Sequence, residues 1–244
     1  MLSDRLAGRI ALVTGASRGI GFAIAEAIAA EGAHVVALAR TVGGLEELDD
    51  AIRSAGGTAT LVPADLKDYA ALDRLGAALF ERFRRLDILI GNAAILGKLT
   101  PLAHLDPKLW DEVMAVNVTA NWRLIRSLDL LLRQADNGRA IFVTSGAARR
   151  FTAYWGPYAV SKAALEALVK TYAAETVTTN LRVNLVNPGV VRTRMRAEAM
   201  PGEDPSMLPP PEVVAEALLP LLDPAVTATG ANFDLRDGVF HERV

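Results

Sequence analysis

The sequence predicts an α/β fold, a single doubly wound domain over residues 1–244 with about seven parallel strands and helices on both faces. Two observations carry that prediction. Short apolar runs alternate with longer amphipathic or alanine-rich segments along the chain. The first apolar run also passes straight into a glycine-rich turn, which opens a helical segment. Alternation repeated this often implies βαβ units with right-handed crossovers.

Taken in order, strands are expected at Ile10–Val13, Val35–Ala39, Ala59–Val62, Ile88–Ile90, Ala140–Val143, Val183–Val186 and Ala231–Leu235. Several are apolar throughout, as strands buried on both faces of a parallel sheet must be. Between them, Ile20–Ala30 is alanine-rich and Leu45–Ser54 is amphipathic. Tyr69–Phe83 follows Asp68, an N-cap residue type. Asp106-Pro107 has the form of an N-cap and a first-turn proline, opening a helix expected to reach about Leu132. Further helices are expected over Tyr158–Thr178 and after Pro209–Pro211. The stretch Arg194–Pro211 lacks periodicity, and a segment this irregular is expected to be a functional loop.

Composition narrows the function. Hydrophobic residues make up 51% and charged residues 22%, as in a globular chain able to bury a large core. A net charge of -2 argues against a nucleic-acid partner, which calls for a basic surface. With no cysteine and three scattered histidines, no metal site is expected. Met1–Arg5 lacks the apolar core of a signal peptide, and no apolar run is long enough to span a bilayer. The expectation is a cytoplasmic protein without a membrane partner.

The turn after the first strand reads Thr14-Gly15-Ala16-Ser17-Arg18-Gly19-Ile20-Gly21. Between a strand and a helix, such a turn brings backbone close to a pyrophosphate, with the helix N-terminus facing the anion. Gly15, Ser17, Arg18, Gly19, Ile20 and Gly21 are therefore candidate cofactor contacts. An NAD site usually places a carboxylate at the end of the second strand. This chain has Ala39-Arg40 there, with Arg18 nearby in the turn. Two guanidinium groups suit a 2′-phosphate, which points to NADP(H) rather than NAD(H).

Tyr158 and Lys162 stand one helical turn apart, so the phenol and the ammonium share a face. A nearby cation lowers a tyrosine pKa, making the pair a candidate general acid–base unit. Ser145 closes the strand before them, at the sheet edge where α/β folds bind ligands. Its hydroxyl is placed to hydrogen-bond a developing alkoxide.

With these residues in place, the chain resembles the short-chain dehydrogenase/reductase family over essentially its whole length. The resemblance rests on Thr14–Gly21, Asp65-Leu66, Asn92-Ala93-Ala94, Asn117, Ser145, Tyr158, Lys162 and Pro188–Thr193, in that order. It implies a Rossmann fold and an oxidoreductase that interconverts a carbonyl and an alcohol. It also implies Tyr158 as acid–base and Ser145 as the group orienting the substrate carbonyl. Lys162 is implied to lower the tyrosine pKa and bind the nicotinamide ribose, and Asn117 to hold a relay water. Asp65 is implied to contact the adenine amino group with Leu66 beside it, and Asn92 to line the cleft near the ribose. Pro188, Val191 and Thr193 are implied to hold the nicotinamide. One motif departs from the family: Gly91-Asn92-Ala93-Ala94 stands where most members read Asn-Asn-Ala-Gly.

Substrate contacts are expected from Ile95–Thr100, Gly146–Trp155 and Arg194–Met207, the last as a lid. Arg149 and Arg150 offer a cation for an acidic substrate, or else a solvated pair. The alternatives to a small-molecule carbonyl reductase are a 3-oxoacyl-carrier-protein reductase, for which Arg123, Arg126 and Arg133 supply basic residues, and a nucleotide-binding regulator without turnover. By the resemblance, a homodimer or homotetramer is expected through Pro107–Leu132 and Tyr158–Thr178, with Trp122, Leu124, Leu128 and Leu165 contributing apolar surface.

Overall fold

The computed structural model describes residues 5–243. The N-terminal reading over residues 1–4 and the chain's last residue lie outside the described residues. Strands β1 (Ile10–Thr14), β2 (His34–Ala39), β3 (Thr58–Pro63), β4 (Ile88–Gly91), β5 (Arg139–Val143), β6 (Arg182–Asn187) and β7 (Asn232–Arg236) run parallel. They stand in the order β3-β2-β1-β4-β5-β6-β7. An eighth strand, β8 (Val239–Glu242), pairs antiparallel with β7 and extends the sheet beyond the expected seven. Its signal was the dipeptide Asp237-Gly238, where both residues have positive φ, the geometry of a tight hairpin turn. β8 is short and mostly exposed, so it has no apolar run to announce it.

Successive side chains of each strand serve opposite faces of the sheet. Val13 and Ile141 pack on one side, Leu12 and Phe142 on the other. Helices α1 (Gly19–Ala30) and α2 (Val42–Ser54) cover the first face, where α1 also packs on α9 (Pro211–Leu218). Helices α3 (Tyr69–Phe83), α5 (Ala120–Gln134) and α7 (Gly156–Thr176) cover the second. Asp68 caps α3 by accepting from Ala71 N at 3.0 Å, and Asp106 caps α4 (Pro107–Met114) by accepting from Lys108 N.

The helix expected to run from Pro107 to about Leu132 is interrupted. Between α4 and α5 lies a wider, π-helical turn, Ala115–Thr119. Asn117 at its centre is fully buried, and its amide is drawn off the helix axis onto neighbouring segments. Single π turns of this kind favour functional sites. The segment Arg194–Pro211 is also more ordered than expected, with helix α8 (Arg194–Ala199) and a 3₁₀ turn at Pro205–Met207.

Three of the four residues expected on an association surface belong to the chain's own core: Leu124, Leu128 and Leu165 are buried beneath the sheet. The periodicity that singled them out marks the inward face of the helices. Trp122 is exposed. No helix among the described residues is long and apolar enough to cross a membrane.

Candidate active site

β1 and β4 pair at the point where strand order reverses, and a cleft of about 810 Å³ opens at the carboxyl ends of the strands. The ends of β1 to β6 all contribute to its lining. The glycine turn forms one end. Gly15 and Gly19 have positive φ, and α1 starts at Arg18 with no side-chain cap. Its first N–H groups therefore lack side-chain partners. Asn92 crosses beneath the turn, donating from Nδ2 to Thr14 O at 2.9 Å. A Cβ on Gly21 would lie 2.4 Å from that Nδ2, and one on Gly15 would lie 3.0 Å from it. Asn92 and the Gly15 carbonyl occupy the space a side chain on Gly21 would need, and Gly15 and Gly19 hold the positive φ that favours glycine. The Asn92 side chain lines the cleft, but its amide protons go to the backbone of the turn.

Arg18 and Arg40 both line the cleft and are exposed. Arg40 does have an acidic neighbour, although none stands at the end of its own strand. The parallel register brings Ala39 opposite Pro63, so Asp65 comes level with Arg40 and lies 3.9 Å away. An exposed pair at that separation contributes little. Leu66 is buried beside Asp65, and Lys67 donates to Glu112 at 2.8 Å along the same rim. Pro188, Val191 and Thr193 line the opposite wall, where Thr193 caps α8 by accepting from Arg196 N.

Ser145, Tyr158 and Lys162 meet in the middle of the cleft. Pro157 starts α7, and the first two turns carry Tyr158 and Lys162 under the end of β5. Lys162 is 2% exposed, and its Nζ donates to Val143 O at 2.8 Å. Burial pulls this ammonium down to a pKa of about 8. Tyr158 is also buried, and burial raises its pKa while the neighbouring Ser145 hydroxyl opposes the rise. The family resemblance implies that Lys162 lowers the tyrosine pKa. Here the ammonium lies 5.8 Å from the ring centroid, bound to a carbonyl, and desolvation outweighs any such effect.

Asn117 sits behind this group. Its Oδ1 accepts from Ile95 N, and its Nδ2 donates to Ile95 O and Ser161 Oγ, each at 2.9 Å. Its main-chain carbonyl accepts from Asn121 Nδ2. Both of its amide protons are therefore engaged.

The departure at Gly91 has a steric cause. A Cβ there would fall 2.3 Å from the Phe142 ring and 2.9 Å from Asn121 Oδ1. Phe142 and Asn121 fill the room that the family's usual asparagine would need. Ala94 lines the cleft.

Of the substrate loops, Trp155 approaches Tyr158 edge-on at 6.1 Å. Met195 packs against the cluster of Leu96, Tyr158 and Ala199. Arg149 turns away and binds Glu166 at 2.9 Å, and Arg150 is exposed outside the lining. Met200 and Met207 point into solvent. The arginines offered as a carrier-protein surface are also engaged, Arg123 and Arg126 by Asp73 and Arg133 by Asp129. Sequence reasoning missed Asn187, which ends β6 and bonds two loops of the site. Its signal was a polar residue closing a buried strand directly before Pro188-Gly189.

Comparison with known proteins finds relatives over most of the chain. The family model described as short chain dehydrogenase matches residues 9–204. An uncharacterised oxidoreductase of Escherichia coli K12, YciK, is 37% identical over 239 residues, covering 96% of this chain and 94% of that protein. A protein of Pseudomonas syringae described as a short chain dehydrogenase superposes with a TM-score of 0.91 at 41% identity, over 95% of this chain and 96% of the other. Another, from Shigella flexneri 2a and complexed with NADP, gives 0.89 at 36% identity, over 95% and 98%.

The buried lysine has a measurable consequence. Its folded-state pKa of about 8 lies below the ordinary 10.5. Below pH 8 the side chain is charged in both folded and unfolded chains, and folding bears the whole desolvation cost, about 3 kcal/mol. Between pH 8 and 10.5 the folded lysine releases its proton first and the cost declines. Lys162→Met is therefore expected to raise Tm at pH 7, by a few degrees after the lost Val143 hydrogen bond is subtracted. That gain should shrink toward pH 10, as followed by thermal melts across the range.

Proposed function

The chain belongs to the short chain dehydrogenase family and is an NAD(P)-dependent oxidoreductase, and on that premise we propose that it interconverts a carbonyl and a secondary alcohol using NADP(H), with Tyr158 as proton donor and acceptor. The observation that carries this reading is the convergence of Ser145, Tyr158 and Lys162 in the cleft that also holds the glycine turn. The residues present fit a dinucleotide. The uncapped start of α1 offers N–H groups to a pyrophosphate, and a Cβ at Gly15 or Gly21 would crowd the turn. Arg18 and Arg40 suit the 2′-phosphate, and the Shigella relative carries NADP.

When bound, the nicotinamide supplies a hydride to the carbonyl carbon, or accepts one from the alcohol. The protein's part is the proton. In reduction, Tyr158 releases its phenolic proton to the carbonyl oxygen, so that one hydride and one proton complete the alcohol. In oxidation it takes the proton back. Ser145 donates a hydrogen bond to the same oxygen, holding it near the phenol as negative charge develops. Lys162 holds a proton in the dehydrated interior beside the phenol and would bond the nicotinamide ribose. Asn117 fixes the π turn against Ile95 and Ser161, and its main-chain carbonyl would hold a water for proton exchange. Asp65 and Leu66 flank the adenine, and Asn92 holds the floor of the turn. Pro188, Val191 and Thr193 back the nicotinamide.

Two variants test this reading. Tyr158→Phe should lower kcat by about 10²–10⁴-fold while NADPH still binds, measured by cofactor absorbance and fluorescence titration. Unchanged turnover would remove Tyr158 from the mechanism. Arg40→Asp should weaken NADPH binding far more than NADH binding, because the introduced carboxylate repels a 2′-phosphate and suits free ribose hydroxyls. Equal losses for both cofactors would contradict the assignment.

A further inference from the structure

The substrate half of the cleft has an uneven distribution of charge. Around Tyr158 its wall is Leu96, Trp155, Met195 and Ala199. The cations nearby are engaged: Arg149 by Glu166, Arg194 by Glu198, Arg196 by Glu203. Lys98 and Arg150 are exposed and outside the lining. On the loop after β6, Arg192 lines the cleft with no ion pair among the described residues, on the side of Val191 and Thr193. The loops that supply the wall also bear large apolar side chains open to solvent: Leu102 is 64% exposed, Phe151 83%, Tyr154 60% and Met207 80%. Phe151 and Tyr154 hold positive φ, so the backbone accepts strain in the loop that displays them.

We propose that the substrate, on the catalytic reading above, is an uncharged and bulky apolar carbonyl compound whose body rests on Leu96, Trp155 and Met195 and extends toward that exposed apolar rim. A carboxylate or phosphate resting on Leu96, Trp155 and Met195 would lose its hydration against side chains that carry no charge, with the unpaired Arg192 on the Val191 and Thr193 side of the cleft. The test is NADPH oxidation with aryl and branched ketones, each paired with a carboxylate-bearing counterpart, such as ethyl benzoylformate against benzoylformate. The esters should exceed the acids in kcat/KM by on the order of 100-fold. Met195→Lys should narrow or invert that ratio while the Kd for NADPH stays the same. Acids turned over as well as esters, or a ratio untouched by Met195→Lys, would overturn the substrate class and leave the catalytic reading standing. No reduction of any carbonyl by a protein that binds NADPH would overturn both.

A second inference rests on different atoms. Asn187 is buried, and its Oδ1 accepts from Gly146 N at 3.1 Å and from Gly189 N at 3.2 Å. Its Nδ2 donates to Asp234 Oδ1 at 2.9 Å, and Arg243 binds that carboxylate. Gly146 follows Ser145, and Gly189 opens the loop to Val191 and Thr193. We infer that Asn187 is a positioning residue, which sets the distance between the serine that binds the carbonyl oxygen and the wall that backs the nicotinamide. Its role needs an acceptor toward the loops and a donor toward Asp234, which asparagine combines. Asn187→Asp keeps the acceptor and sets two carboxylates face to face, so kcat should fall about 10–100-fold with KM little changed. Adding Asp234→Asn returns a donor to the pair and should restore kcat. An unchanged kcat in the folded single variant, or a double variant that regains Tm without kcat, would overturn the assignment.

Discussion

A lysine ammonium held in a nearly dry position at the edge of a parallel sheet is the constraint around which this molecule is arranged. Lys162 reaches one carbonyl, that of Val143, and little solvent. Such a group costs stability, and it persists only where the surrounding structure holds it in place. β5 is buried along its length, and α7, packed on β6, carries the side chain to the end of β5. The same burial holds Tyr158 protonated, as a proton donor requires. An electrostatic pair in water would give neither property. The chemistry proposed for the site therefore depends on the packing of α7 over the sheet as much as on the two residues themselves.

The cofactor end of the cleft follows a different logic, one of space rather than charge. Asn92 lies across the base of the glycine turn, tied to Thr14, and its presence there explains why Gly15 and Gly21 lack side chains. The turn and the end of β4 are in effect one structure. Gly91 extends the pattern, since Phe142 and Asn121 occupy the volume that a side chain there would need.

Much of this was legible beforehand, and the exceptions have physical causes. The parallel strands announced themselves because two-sided burial writes continuous apolar runs. β8 escaped because a short exposed edge strand writes none. The break at Asn117 was invisible because a π turn keeps helical residue types and changes only the hydrogen-bond register. Leu124, Leu128 and Leu165 were read as surface because the period of an amphipathic helix does not say which partner covers its apolar face. Arg149 looked available to substrate, yet its partner Glu166 lies on another helix, beyond the reach of local pattern. Asp65 likewise meets Arg40 only through strand register. Contacts between distant segments are what a one-dimensional reading lacks, and they decide which charges of this site remain free.

The central claim is that this cleft joins hydride and proton delivery at one carbonyl. The most direct measurement is a single-turnover reduction with NADPH carrying deuterium at the reactive face of nicotinamide C4, and NMR of the product. The account predicts deuterium on the carbinol carbon, with the hydroxyl proton drawn from solvent through Tyr158. Oxidation of the cofactor with no label on that carbon would contradict it.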